Sequence, residues 1–257
     1  MIDLASGAGS VFAHLPEGRA FDLCAADISD VALDALEQRF PGTDTVVCSA
    51  DAVPLEDQSF DLVVTQFGVE YAGVAAFAEA ARLVAPGGRF IGLCHFRDGY
   101  IDSDNRRQLA EAKIVAKQGF IDHAIRLIKA AYSGDPAALK RAQDEFAAAA
   151  TPVGEGLRRC RKGIHAYLFQ GFRKLYEGRQ QYDLADITGW LDAMRGELEV
   201  NLDRLGRMCE AALSEADVRE IERIFENQCL IEVHCTPFQT QENELPIAWQ
   251  VMARREK

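Results

Sequence analysis

The stretch IDLASGAG, residues 2–9, decides the fold of this chain, because a short apolar run passes directly into a glycine-rich loop. Glycines let the backbone approach a ligand closely, and a helix that follows such a loop presents its positive N-terminus there. A second apolar run ends in Asp27, at the spacing where a carboxylate binds ribose hydroxyls. Together, Gly7, Gly9 and Asp27 predict a site for an adenosine-containing cofactor.

Two residues near this loop bear on which cofactor it holds. Phe12 occupies the position of the third glycine in the dinucleotide-binding fingerprint, and its ring opposes close packing of helix on strand. Asp3 lies just before the loop, where a carboxylate favours a cation over a pyrophosphate. Both observations disfavour an NAD(P)-dependent oxidoreductase, which remains an alternative.

Beyond this loop, the first hundred residues alternate short apolar runs with helical patterns. The apolar runs predict strands at Phe21–Asp27, Asp44–Ser49, Phe60–Gln66 and Phe90–His95. Periodic apolar residues predict helices over 30–39 and 73–84, the second ending before Pro86-Gly87-Gly88. This alternation predicts an α/β fold with a mostly parallel sheet, helices on both faces and strand carboxyl ends along one edge.

The rest of the chain divides into two further segments. Residues 98–213 contain no convincing strand and read as several helices, with breaks near 134–136, 151–154 and 178. Residues 214–257 begin with a capping-box variant and end in two strand-like runs. The predicted organisation is a cofactor-binding α/β core at 1–97, a helical insertion at 98–213, and a C-terminal helix with two strands that complete the sheet.

Composition narrows the function classes. The 257 residues are 48% hydrophobic and 26% charged, a globular balance, and the net charge of −12 argues against a dedicated nucleic-acid binder. The sequence has no apolar run long enough for a membrane span and no signal-peptide pattern. Seven cysteines without a CxxC pair favour a reducing, cytoplasmic compartment, and no metal-ligand spacing is visible. The oligomeric state is left open.

Four segments in a fixed order carry a family resemblance: IDLASGAG (2–9), AADIS (25–29), SADAVPLEDQSFDLVVTQFGVEYA (49–72) and ARLVAPGGRFIGL (81–93). In this order they resemble the class I S-adenosylmethionine-dependent methyltransferases, especially the small-molecule group that includes the ubiquinone/menaquinone-type enzymes. The resemblance covers residues 1–97 and resumes weakly in LPIAWQVMARR (245–255). It implies a Rossmann-like, doubly wound, seven-stranded sheet of order 3-2-1-4-5-7-6, with the helical insertion after the fifth strand.

The resemblance also implies where S-adenosyl-L-methionine would bind, on residues that follow the first four strands. Asp3 would lie near the methionine amino group, Asp27 would bind the ribose, and Asp51 would accept from the adenine amino group. The other implied contacts are the backbone of Ala5, Gly7 and Gly9 around the methionyl portion, Ile28 on the adenine face, the Ala52 amide at the ring edge, and Gln66 and Phe67 lining the site.

Catalysis by such an enzyme is an in-line displacement, so the protein mainly aligns two reactants and no catalytic triad is expected. His95 ends the predicted fifth strand and is the candidate general base, unless it is a histidine bonded inward at a strand end. Glu70 and Tyr71 follow the fourth strand, where family substrates approach, and are either substrate contacts or plain surface.

The identity of the acceptor is only partly predicted. The segment TQFGVEYAG lacks the NPPY-type tetrapeptide of amino-methylating nucleic-acid enzymes, which with the acidic charge favours a small-molecule acceptor. A non-catalytic S-adenosylmethionine-binding module is the alternative from another class. The first strand starts almost at Met1, where the family usually has a covering helix. The alternatives are therefore a start codon set too late, a fragment, or an insertion that caps the cofactor crevice.

Overall fold

The structure is a computed structural model that describes residues 1–16 and 21–257, and it divides into two compact units. The sheet unit comprises Met1–Ser103 and Glu210–Lys257, and the helical unit comprises Asp104–Cys209. The chain therefore leaves the sheet unit once and returns to it. Among the described residues, no helix combines the length and the apolar character that crossing a membrane requires.

Seven strands form the sheet in the described part of the chain. In sequence order they are β1 Ile2–Leu4, β2 Cys24–Asp27, β3 Asp44–Val47, β4 Phe60–Gln66, β5 Val84–His95, β6 Leu230–Phe238 and β7 Ala248–Arg255. Their spatial order is β3-β2-β1-β4-β5-β7-β6, and β7 runs antiparallel to the other six strands. The predicted fold class and strand order are confirmed.

Eight α-helices connect or extend these strands among the described residues. They are α1 Asp30–Arg39, α2 Ala76–Leu83, α3 Tyr100–Lys117, α4 Phe120–Tyr132, α5 Pro136–Arg159, α6 Ile164–Glu177, α7 Leu184–Ala211 and α8 Glu215–Asn227. The capping box predicted before α8 is present, since the Ser214 hydroxyl accepts from the Asp217 amide and the Asp217 carboxylate accepts from the Ser214 amide.

The core of the sheet unit lies between the sheet and the helices α2 and α8. Phe77 of α2, Phe90 of β5 and Phe225 of α8 bring their ring centroids to within 5.0–6.2 Å of one another. A smaller cluster, with Leu33 and Leu36 of α1, covers other residues of the sheet. Burial on both sides explains why the parallel strands read as continuous apolar runs.

Two local predictions were wrong. The break expected at 151–154 does not occur, because α5 continues through Pro152 and buries Val153 in the core of the helical unit. That packing offsets the roughly 3 kcal/mol that an interior proline costs a helix. Strand β5 also starts at Val84 rather than Phe90, because Val84 already pairs with Phe60 of β4, and the pairing resumes at Arg89 after an irregularity in which Gly87 has a φ of 79°.

Arg255, on the last strand β7, connects that strand to the ends of two helices. Its buried guanidinium donates to the carbonyl oxygens of Val84 at 2.7 Å, Ala81 at 2.8 Å and Gln228 at 2.8 Å. Ala81 lies in the last turn of α2, and Val84 and Gln228 directly follow α2 and α8, where carbonyls lose their partners within the helix. One side chain thus ties both helix ends to β7.

We expect Arg255→Met to lower the free energy of unfolding by about 2–3 kcal/mol, because it removes three charge-assisted hydrogen bonds to backbone carbonyls, of which Ala81 alone keeps a helical donor, the Val84 amide. The matched control is Arg254→Met, since the Arg254 ion pair with Glu232 is largely exposed and such pairs contribute about 0.2–1 kcal/mol. Urea denaturation of both variants measures the difference. If both variants lose the same free energy of unfolding, the three hydrogen bonds from Arg255 to carbonyls stabilise the fold no more than the exposed ion pair does.

Candidate cofactor site and active site

The candidate site lies where β1 and β4 end side by side. These strands are parallel neighbours, and the chain continues from β1 to β2 on one side while β4 lies on the other. Ala5 and Phe67, just beyond the two strands, have left-handed φ values of 54° and 53°. Gly68 approaches Ala5 so closely that a Cβ on Gly68 would lie 2.6 Å from the Ala5 Cβ. Strained backbone of this kind, at the switch point of an α/β sheet, is typical of a ligand site.

Asp3 is the most unusual residue of this edge. It lies on β1 between Ala25 of β2 and Val64 of β4, and its exposure is 0%. Neither carboxylate oxygen has a hydrogen-bond partner among the described residues. Burial raises the pKa of the Asp3 carboxyl to about 7, and the charge of Asp27 adds to the rise. A buried carboxylate without donors is costly, so this position favours a cationic ligand.

The loop after β1 is held by the Asp27 carboxylate. Asp27 Oδ2 accepts from the Gly7 amide at 2.8 Å, and Oδ1 accepts from the Ser29 amide at 2.9 Å. Gly7 has φ 52° and faces open space, whereas a Cβ on Gly9 would strike the Phe40 ring at 2.8 Å. The two predicted glycines therefore differ, because Gly9 permits packing on the end of α1 and Gly7 leaves room above the loop.

The sequence predicted an α-helix directly after the glycine-rich loop, but in the described residues the loop does not lead into one. A short 3₁₀ turn, Phe12–His14, follows it. The buried Phe12 ring packs edge-on against Phe40, with centroids 5.8 Å apart, so the ring fills space beside α1. This turn is no extended helix N-terminus, and the argument for anion binding at such a terminus therefore does not apply here.

The hydroxyl of Ser6 is a feature that sequence reasoning missed. Ser6 Oγ is buried and has no hydrogen-bond partner among the described residues, while the Ser6 amide donates to the Ala26 carbonyl at 3.1 Å. The only sequence signal was its position inside the glycine-rich loop. The Ser6 hydroxyl and the Asp3 carboxylate are thus two buried polar groups without hydrogen-bond partners, one on the loop after β1 and one on β1 itself.

The second and third strands end in more exposed residues. Ile28, next to Asp27, is 76% exposed, which is unusual for an isoleucine beside a folded loop. Asp51 is exposed and accepts from the Ser49 hydroxyl, and the Ala52 amide donates to the Ser49 carbonyl at 3.1 Å. The amide contact predicted for Ala52 therefore competes with a turn hydrogen bond.

Arg82 anchors the segment after Asp51 to α2. Its guanidinium donates to the carbonyls of Val53 and Leu55, each at 2.8 Å, and pairs with Glu79 at 2.9 Å. Glu79 also accepts from the Val53 amide, and the Arg82 hydrogen bond helps to hold the pKa of Glu79 below its usual value. Sequence reasoning did not single out either residue, because their partners are backbone groups about 26 positions away.

Gln66 and Phe67 connect the end of β4 to its neighbours. Gln66 Oε1 accepts from the Ser10 hydroxyl at 3.2 Å, which ties β4 to the loop after β1. The Phe67 amide donates to the Leu93 carbonyl of β5 at 2.7 Å. The Phe67 ring lies 4.7 Å from the His95 ring. The predicted site residues of β4 and β5 are therefore adjacent.

His95 is buried at the end of β5 and is bonded to Glu70. Glu70 Oε1 lies 2.7 Å from His95 Nδ1 and accepts from the His95 amide at 3.0 Å. Glu70 is 2% exposed, so the interpretation of Glu70 as plain surface is wrong. Tyr71 is 44% exposed and lies edge-on to the His95 ring, with centroids 5.8 Å apart.

Most of the similarity to known proteins lies in about the first hundred residues of the chain. Residues 2–92 match the family model described as "Methyltransferase domain". A methyltransferase of Schizosaccharomyces pombe is 31% identical over 102 residues, covering 39% of this chain and 41% of the relative. A ubiquinone/menaquinone biosynthesis C-methyltransferase of Methylobacterium nodulans is 36% identical over 102 residues, covering 36% and 40%. The resemblance predicted from the motifs is confirmed for this part of the chain.

These relatives are matched over less than half of their length, since the chain spans about 40% of each. Among solved structures, an S-adenosylmethionine-dependent methyltransferase from Mesorhizobium loti aligns with a TM-score of 0.34 at 23% identity, over 37% of this chain and 45% of that chain.

Proposed function

We propose that this chain, which carries a methyltransferase domain over residues 2–92, is an S-adenosyl-L-methionine-dependent methyltransferase with a small-molecule acceptor. The observation that carries the proposal is the buried, unpartnered Asp3 carboxylate beside a glycine-rich loop. A cofactor with an ammonium and a sulfonium group favours carboxylates, whereas a dinucleotide favours groups that bind phosphate. The acidic net charge supports a small molecule rather than a nucleic acid as acceptor.

The residues present fit this cofactor. Asp3 and Ser6 offer buried acceptor oxygens for the methionine ammonium group. Each Asp27 oxygen accepts one backbone amide, and a carboxylate oxygen has a second lone pair for a ribose hydroxyl. The exposed Ile28 side chain offers an apolar surface for the adenine ring. Asp51 is proposed at the adenine amino group and the Ala52 amide at the ring edge, where it would exchange its bond to the Ser49 carbonyl. Gln66 and Phe67 are proposed to line the site after β4.

When bound, S-adenosyl-L-methionine supplies a methyl group that is activated by its sulfonium. The chain contributes mainly binding and alignment, and the left-handed turns at Ala5 and Phe67 shape the edge on which the reactants meet. His95 would take up the proton where the acceptor must lose one. Contact with the acceptor is one of the two roles that the sequence predicts for Glu70. Its carboxylate lies against His95 instead, so we propose no direct contact between Glu70 and the acceptor.

A ligand panel tests the proposal. S-adenosylmethionine and S-adenosylhomocysteine should raise the melting temperature, and NAD should not, because only a ligand of the native state stabilises it. Formation of S-adenosylhomocysteine in the presence of small-molecule acceptors distinguishes an enzyme from a binding module. Stabilisation by NAD alone would contradict the proposal.

Asp27→Ala should weaken S-adenosylmethionine binding by about 1.5–3 kcal/mol, the range for hydrogen bonds to a charged group. The fold should persist, because the carboxylate is only partly buried at a strand end. Titration calorimetry measures the affinity, with Asp34→Ala on the exposed side of α1 as the matched control. Unchanged affinity in a folded Asp27 variant would remove this residue from the site.

A further inference from the structure

The Glu70–His95 pair defines which imidazole nitrogen is free. Nδ1 lies 2.7 Å from Glu70 Oε1, and a carboxylate oxygen accepts, so the Nδ1 hydrogen is the donor. The ring hydrogen bond of His95 among the described residues is made by Nδ1 and not by the other nitrogen, Nε2. A neutral ring in this arrangement carries its lone pair on Nε2.

The orientation of the ring is restrained on several sides. Glu70 Oε1 also accepts from the His95 amide at 3.0 Å, so one carboxylate oxygen holds both the backbone and the side chain of His95. The Phe67 and Tyr71 rings lie 4.7 and 5.8 Å from the imidazole. Burial and the neighbouring Glu70 raise the pKa of the Cys94 thiol, which therefore stays protonated and uncharged.

We propose that Glu70 is a positioning residue, which holds His95 in the Nδ1–H tautomer so that Nε2 is the proton acceptor in methyl transfer. The inference rests on the proposed function, and it assigns Glu70 a role different from substrate contact. As the acceptor O–H or N–H bond breaks, the proton moves to Nε2. The electron pair left on the acceptor atom would form the bond to the methyl carbon, and the pair of the broken methyl–sulfur bond would stay on sulfur. The carboxylate then stabilises the imidazolium that forms.

Histidine ring nitrogen spectra test the tautomer without any turnover. The chain has five histidines, and His95 is assigned by its loss in His95→Gln. With ¹⁵N-labelled imidazoles between pH 7.5 and 9, we expect a protonated Nδ1 and an unprotonated Nε2 in the parent. A ring protonated at Nε2, or at both nitrogens, in the parent would overturn the proposal.

Two substitutions separate positioning from packing. Glu70→Gln retains an oxygen that can accept from Nδ1, so the Nδ1–H tautomer should persist. Glu70→Met has similar bulk without an acceptor, so the ring should shift to the tautomer mixture of an unbonded imidazole. Glu56→Met, at an exposed site, is the matched control and should leave His95 unchanged. An unchanged His95 spectrum in a folded Glu70→Met protein would overturn the proposal.

Turnover gives the second readout. Glu70→Met should lower the single-turnover rate by roughly 10²-fold, less than the ~10⁴-fold that serine proteases lose with their orienting aspartate. S-adenosylmethionine affinity should remain within about twofold, because Glu70 is bonded to His95 rather than placed at the cofactor. If Glu70→Met does not fold, the spectra of the parent and of Glu70→Gln still determine which tautomer His95 adopts. A parent with the expected tautomer but no methyl transfer would contradict the proposed function, and not the orientation of His95.

Discussion

Asp3→Asn is expected to stabilise the ligand-free protein at pH 8 and to weaken S-adenosylmethionine binding by about 100-fold. Both effects have one cause, since the parent buries a carboxylate that has no partner until a cation binds. A rise in pKa from 3.8 to about 7 corresponds to about 4 kcal/mol of destabilisation when the carboxyl is ionised. A buried amide costs less than a buried charge, so we expect Asn to recover about half of this.

The pH dependence follows from the direction of the Asp3 shift. The folded state holds the Asp3 proton up to about pH 7, whereas the unfolded chain releases it near 3.8. The folded state therefore binds more protons in this interval, and Asp3 lowers stability progressively as the pH rises from about 4 to 7. The gain from Asp3→Asn should be full above pH 7 and absent near pH 4.

The affinity for S-adenosylmethionine should also depend on the ionisation of Asp3. Because a cation requires the ionised carboxylate, parent affinity should fall as the pH drops below about 7, and Asp3→Asn should not show this loss. Urea denaturation at pH 4.5 and 8, with calorimetric titration at pH 6 and 8, measures both effects. Asp34→Asn, on the exposed side of α1, is the matched control. A less stable Asp3 variant with unchanged affinity would contradict the cation-site interpretation.

His95→Gln is expected to lower the single-turnover rate by roughly 10²–10⁴-fold, the usual contribution of one acid–base group. Cofactor affinity should change little, because the role of His95 is at the acceptor. The substitution should also destabilise the fold by about 1–3 kcal/mol, because the buried Glu70 carboxylate loses its contact with the imidazole and keeps only that with the backbone amide of residue 95. The two interpretations of His95 are thus compatible, since Nδ1 is bonded inward and Nε2 is not.

His95→Asn separates the two effects. An Asn amide can replace the Nδ1 donor to Glu70 but has no equivalent of Nε2. Its stability should be closer to the parent than that of His95→Gln, and its turnover should be equally low. Melting temperature and single-turnover rate on both variants provide the measurement. A rate within about threefold of the parent would exclude His95 as a general base and leave alignment of the reactants as the mechanism.

The sequence predicted the sheet and most of the candidate site because both depend on local pattern. Strand-forming runs, the glycines at 7 and 9, and Asp27 occur at fixed spacings along 97 residues. These spacings sufficed for the fold class, whereas the strand order was implied by the family resemblance. Pro152 shows the limit, because the local rule predicts a break where the packing of Val153 maintains one helix.

What the sequence determined by itself is therefore the fold, the family resemblance and the identity of the loop residues at the strand ends. Only the tertiary structure decided their chemical state. The pKa of Asp3 depends on burial between β2 and β4, and the free nitrogen of His95 depends on Glu70, 25 residues earlier in the chain. Desolvation and long-range hydrogen bonds arise only when distant segments pack together, so no local pattern records them.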